Sequence, residues 1–113
     1  VCDAADVFKT PIFGMAGTLH EKVYRARGHR FIAEFYTDLD YNDEGGLIIT
    51  REHDAKDPAA AAAKCLRAIS EGKVASIGGV DIHVGAETIC VHSDTPNAVA
   101  IASAVRAVVP RRA

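Results

Sequence analysis

The chain has 113 residues, enough for one hydrophobic core and too few for two. Hydrophobic residues make up 49% and charged residues 25%, the balance of an ordinary globular domain. The net charge is −2 with lysines and arginines scattered, so there is no basic face for nucleic acid or an anionic membrane, and no apolar run approaches the ~20 residues of a membrane span.

The opening residues, Val1-Cys2-Asp3-Ala4-Ala5-Asp6-Val7-Phe8, read as the end of a helix. The only methionine is Met15, which leaves open a processed or cleaved polypeptide, a separately encoded half or an omitted one. Residues 11–16 form a short apolar strand ending at a glycine turn. Thr18 and Glu21 have capping-box spacing, in which each side chain satisfies the other residue's backbone N–H, and the helix they start should stop at Gly28. Residues 29–37, His-Arg-Phe-Ile-Ala-Glu-Phe-Tyr-Thr, are a second strand rich in aromatic residues.

An acidic loop over residues 38–46 and a short extended piece over 47–50 follow. Asp57-Pro58 starts a helix, with Asp as N-cap and Pro in the first turn, and Gly72 closes it. Residues 74–77 and 80–84, joined by Gly78-Gly79, read as a tight hairpin. Residues 88–92 are the third main strand, and Thr95-Pro96 starts the last helix. Strands alternating with helices predict an α/β fold with a parallel sheet. Three main strands make a meagre sheet, so further strands are expected from another segment or a partner chain.

Side chains alternate across a strand, which sorts the candidate site residues. Phe31, Ala33 and Phe35 share one face of the second strand, and Ile32, Glu34, Tyr36 and Asp38 the other. On the third strand Cys90 and His92 lie opposite Ile89 and Val91. The polar faces meet at the carboxyl ends of the strands, where open α/β sheets and barrels bind ligands. Glu34, Asp38, His92 and Asp94 should therefore converge on one mouth. A histidine and a carboxylate there can exchange protons near neutral pH, which makes His92 and Asp94 the catalytic candidates. Asp94 either polarises His92, orients a ligand or caps the last helix, and His92 is otherwise a hydrogen-bonded core histidine. Glu34 on a buried face needs a cation, a proton or a ligand. Arg51, the cation near the acidic loop, either pairs with Asp38 or Glu34 or binds a substrate carboxylate; Thr95 completes the substrate-binding set.

Other signals are structural. Cys2, Cys65 and Cys90 lack CxxC spacing, so they read as free thiols of a reducing cytosol and not as metal ligands. The acidic loop lacks a calcium-loop pattern, and no Lys-Ser/Thr follows Gly78-Gly79 to cradle a phosphate. His20, His29, His53 and His83 are expected at the surface.

Thr88-Ile89-Cys90-Val91-His92-Ser93-Asp94-Thr95-Pro96 is similar to a signature T-I-C-V-H-G-D-T-P of the LamB/YcsF family. Ala33-Glu34-Phe35-Tyr36-Thr37-Asp38 with Tyr41 resembles the family segment A-E-V-F-A-D-R-x-Y, and residues 13–18 resemble F-G-L-A-G-S. The matches run in family order across nearly the whole chain. Leu39 stands where many members carry Arg, and Ser93 replaces Gly. The family's N-terminal motifs, D-L-N-C-D-x-G-E, G-F-H-A-G-D and K-P-H-G-A-L-Y, do not occur.

The resemblance implies a single partial domain over residues 1–113, the C-terminal part of an irregular β/α (TIM-like) barrel related to polysaccharide deacetylases. It implies a component like the A-type subunit of a cytoplasmic, ATP-hydrolysing 5-oxoprolinase, an amidohydrolase that opens the lactam 5-oxoproline to glutamate. The implied partners are the N-terminal half of the barrel and subunits of the B and C types, with the isolated chain inactive. The alternative is a non-catalytic structural or binding piece that completes another chain's barrel. A weaker third reading, from the fold relatives, is deacetylation with a metal held by the other half.

Overall fold

The strictly alternating segment Phe31–Tyr36 buries Phe31, Ala33 and Phe35 and leaves Ile32, Glu34 and Tyr36 half-buried, as a strand packed on one face must. In the computed structural model, which describes residues 1–111, this strand is β2, the centre of a three-stranded parallel sheet. The elements run α1 (Cys2–Phe8), β1 (Ile12–Gly14), α2 (Leu19–Ala26), β2 (Phe31–Tyr36), β3 (Asp40–Tyr41), β4 (Leu47–Ile48), α3 (Pro58–Glu71), β5 (Lys73–Ala75), β6 (Asp81–His83), β7 (Thr88–Cys90) and α4 (Ala98–Val108).

The sheet order is β1-β2-β7. β1 pairs with the first half of β2, Ile12 opposite Phe31 and Gly14 opposite Ala33. β7 pairs with the second half, Glu34 opposite Thr88 and Tyr36 opposite Cys90. This stagger from strand to strand is the shear of a sheet that curves toward a barrel.

The caps follow the sequence closely. The Asp57 carboxylate accepts the Ala59 N–H at 3.0 Å, Pro58 opens α3, and Gly72 ends it in the left-handed conformation that a glycine adopts without strain. At α2 the Thr18 hydroxyl accepts the Glu21 N–H at 3.4 Å, but the Glu21 carboxylate reaches the Gly17 N–H at 2.7 Å instead of that of Thr18.

Three expectations need correction. The acidic loop contains a hairpin: β3 and β4 pair antiparallel, and the Asn42 side chain closes the turn by accepting from the Glu44 and Gly46 N–H groups. Burial of Tyr41 against Phe35 holds this hairpin on the core. The β5–β6 hairpin has a five-residue loop, not a two-residue one. The Ser76 hydroxyl donates to Asp43 at 2.6 Å and accepts the Val80 N–H at 3.0 Å, closing the loop early. The last helix begins at Ala98, beyond Thr95-Pro96, because the Asn97 amide is occupied by the Lys56 backbone, accepting its N–H at 3.1 Å and donating to its carbonyl at 2.6 Å.

Two apolar clusters form the core. Phe35, Tyr41, Ala68 and Val74 lie beneath β2, with Met15, Leu47 and Ile82 packed around them. Ala61, Cys65, Ile101 and Val105 form the seam between α3 and α4. Cys2, Cys65 and Cys90 are all free thiols. The chain also passes close to itself at Gly85, where an added Cβ would lie 2.7 Å from Ala33 Cβ and 2.9 Å from Ala16 Cβ. Gly85→Ala should cost about 1–3 kcal/mol through this overpacking, read as a lowered thermal midpoint with unchanged helix content.

Candidate functional site

Asp38 lies two residues beyond β2 and His92 two residues beyond β7. Since Tyr36 pairs with Cys90, extending the register sets Asp38 opposite His92. The contact is two-pronged. One Asp38 oxygen accepts the His92 backbone N–H at 2.6 Å, and the other lies 2.9 Å from the ring Nδ1. The Asp38 side chain is fully buried, and that of His92 is about one-third exposed. A buried carboxylate at Nδ1 keeps the ring proton there and leaves the Nε2 lone pair facing only the weak Cys90 thiol, the arrangement of a histidine held as a general base.

Asp38 is itself held from behind. The Thr37 hydroxyl donates to the Ala61 carbonyl of α3 at 2.6 Å, and Lys64 Nζ donates to the Leu39 carbonyl at 2.7 Å. These two bonds fasten the chain to α3 on either side of Asp38. Burial pulls the Lys64 ammonium down from its usual range, an effect that Asp40 opposes.

Other polar groups surround His92. Its ring stacks with Tyr36 at 6.2 Å between centroids and with His53 at 6.4 Å. The Cys90 thiol lies 3.9 Å from Nε2. The Tyr36 hydroxyl donates to Glu34 at 3.1 Å. Burial pushes the Tyr36 phenol up, with the Glu34 charge adding to the effect. Burial also pushes the Cys90 thiol up, followed by Glu34 and Asp38. Both groups are therefore neutral near pH 7, which makes Cys90 a weak donor and not a thiolate nucleophile.

Of the residues expected at the mouth, Asp38 and His92 meet directly, and Glu34 joins them through Tyr36, which hydrogen-bonds it and stacks on His92. Asp94 does not pair with His92: the turn that sends the Thr95 N–H to the His92 carbonyl at 3.4 Å carries Asp94 outward, to within 3.3 Å of His53 Nε2. Nor does Asp94 cap α4, whose N-cap is Asn97. Thr95 is buried, and its hydroxyl has no partner among the described residues.

Arg51 is exposed and makes no ion pair with Glu34 or Asp38 among the described residues. The cations that reach the acidic segment are Lys56 and Lys64, 3.4 and 3.6 Å from Asp40. Leu39, at the family's Arg position, is buried in the core. Two histidines expected at the surface are turned inward. His29 has a 9% exposed side chain beside Asp6, and the 15% exposed His53 faces the site. Among the described residues no group of three or more His, Cys, Asp and Glu side chains could hold a metal ion. No helix among them is long and apolar enough to cross a membrane. A larger cleft of about 510 Å³ lies on the Ile89–Val91 side of β7 against α4; it is mostly apolar and contains neither His92 nor Asp38.

The family model for LamB/YcsF matches residues 1–113. The chain belongs to the LamB/YcsF family. It is 38% identical over 96 residues to a 5-oxoprolinase A-type subunit of Pseudomonas aeruginosa, a match covering 85% of this chain and 38% of that protein. It is 40% identical over 98 residues to the 5-oxoprolinase A-type subunit of Mycolicibacterium paratuberculosis, covering 85% and 39% respectively. Among solved structures it is similar to the lactam utilization protein from Thermus thermophilus, with a TM-score of 0.77 and 32% identity over 95% of this chain and 44% of that one. The chain thus spans under two-fifths of the length of these curated relatives. Its fold is similar to that of this lactam utilization protein, α/β with parallel strands forming part of an irregular barrel.

Proposed function

We propose that this chain forms one wall of the lactam site in a component like the A-type subunit of an ATP-dependent 5-oxoprolinase. The observation that supports this most directly is the Asp38-held His92 at the carboxyl ends of parallel strands, in a chain similar to proteins named as A-type subunits of 5-oxoprolinase. On this reading residues 1–113 are a partial domain. The rest of the barrel and subunits of the B and C types complete the enzyme.

His92 Nε2 takes the proton of the water that attacks the lactam carbonyl, and Asp38 holds the tautomer and orientation that this requires. Glu34, fixed by Tyr36, accepts the ring N–H of the substrate. Arg51 is assigned to the substrate carboxylate, Thr95 supports the site from beneath with its buried hydroxyl, and Asp94 orders the outer edge of the site. The described residues do not fit a nucleoside triphosphate. Glu34, Asp38 and Asp94 would repel its phosphates, and the Gly78-Gly79 segment is a hairpin loop. The assembly's ATP is therefore assigned to another part of it, and no step of this chain's residues is routed through it.

The test is glutamate release from 5-oxoproline and ATP by the completed barrel with its partner subunits. Turnover that falls by about 10²–10⁴ in His92→Ala is the expected result. No turnover in the wild-type assembly rejects the proposal. Leu39, buried in the core where the similar family segment carries Arg, favours a second reading, a non-catalytic piece that completes a barrel, and that reading wins if His92→Ala and Asp94→Ala both leave assembly activity untouched.

A further inference from the structure

Opening a lactam with water moves two protons in opposite senses. One leaves the attacking water as the C–O bond forms, and one must reach the ring nitrogen as the C–N bond breaks. Beside His92 stands a second imidazole. His53 lies in the irregular segment between β4 and α3, where Arg51, Glu52, Asp54 and Ala55 are all exposed. His53 alone of these turns inward, its ring within 10° of parallel to His92 and its Nε2 3.3 Å from Asp94.

Packing does not account for this arrangement. Asp94 is 67% exposed, and a contact between such a carboxylate and a histidine adds little stability. An apolar side chain would also cover the His92 ring at lower desolvation cost. With Nε2 turned to Asp94, Nδ1 is the nitrogen left for a ligand. The two near-parallel rings thus set side by side two imidazoles, the side chain that serves either as acid or as base near neutral pH.

We infer that His53 is a second proton-transfer residue of this site, giving a proton from Nδ1 to the departing lactam nitrogen while His92 receives one from the attacking water. The inference rests on the lactam-opening reading above. The C–N electron pair stays on nitrogen, which takes the His53 proton, and the water oxygen becomes part of the new carboxylate. The proton left on His92 returns to His53 through solvent, so the site is reset without another reactant.

The experiment compares the wild-type assembly with His53→Phe, which keeps a ring against His92, and with His53→Gly supplied with free imidazoles. In His53→Phe kcat should fall about 100-fold with KM within about threefold of wild type. In His53→Gly, added imidazole should restore turnover, and the rescue rate should rise with the acidity of the imidazolium across a substituted series. Simple filling of a cavity would not show that dependence. A His53→Phe enzyme within about threefold of wild type, or a rescue indifferent to acidity, overturns the inference while leaving the lactam reading standing. A wild-type assembly that releases no glutamate overturns both.

Discussion

Asp38→Asn is expected, under the proposed lactam-opening function, to lower turnover of the completed assembly by on the order of 10³–10⁴ while the chain still folds. The reason is geometric. Asp38 is fully buried and offers one oxygen to the His92 N–H and the other to Nδ1. Asparagine has one oxygen. If it serves the backbone N–H, the amide NH2 faces Nδ1, which must then accept, and the ring proton moves to Nε2. That tautomer presents a proton where the reaction needs a lone pair. If the amide flips, its NH2 collides with the backbone N–H and one buried donor is stranded, at about 1–3 kcal/mol.

Two measurements check this. Nitrogen NMR of the His92 ring should show the tautomer inverted in Asp38→Asn. Kinetically, Asp38→Asn combined with His92→Ala should be little worse than His92→Ala alone, because the two residues act as a unit. Turnover within about tenfold of wild type in Asp38→Asn would remove proton transfer by His92 from the mechanism.

That pair was only partly legible in the sequence. Alternation along residues 31–38 and 88–92 placed Glu34, Asp38 and His92 on one side of adjacent strands; the observed burial alternates over residues 31–36, while residues 88–92 are all half-buried and Asp38 is buried. Which carboxylate grips His92 depends on the register between β2 and β7, a contact across 54 residues that no local pattern encodes. Asp94 looked like the partner because it is two residues away, yet a tight turn separates neighbours that a strand would have kept on one face. His53 lies in a segment with no period to read, so its exposure could not be inferred. The same holds at the start of α4, where Asn97 is recruited by Lys56, 41 residues earlier.

Several elements with strong local chemistry were legible. Asp57-Pro58 and Gly72 bound α3 as their capping preferences dictate, and the three main strands form the expected parallel sheet. The β3–β4 hairpin escaped because two-residue strands carry no alternation. Its one signal was Tyr41, an aromatic residue amid acidic and glycine residues, which is buried beside Phe35.

Phe35→Ala should cost about 3–5 kcal/mol, a large share of a typical domain's stability. Phe35 is fully buried, stacks on Tyr41 at 5.8 Å and packs in one cluster with Ala68 and Val74, so its removal empties the space between the sheet and α3. The Tyr41 hydroxyl accepts the Tyr36 N–H at 3.3 Å, and burial raises the pKa of that phenol to about 12, so the group stays a neutral partner of β2. Without the Phe35 ring, Tyr41 loses its stacking surface and β2 slackens where it carries Glu34 and leads to Asp38. In urea the unfolding midpoint should fall by more than about 1 M, whereas Phe35→Leu should cost under about 2 kcal/mol. A loss under about 1 kcal/mol in Phe35→Ala would place the core elsewhere. The two substitutions therefore separate two roles of one strand. Asp38→Asn removes turnover from a folded protein, whereas Phe35→Ala chiefly removes folded protein and, through the slackened β2, lowers the turnover of what remains by less than Asp38→Asn does.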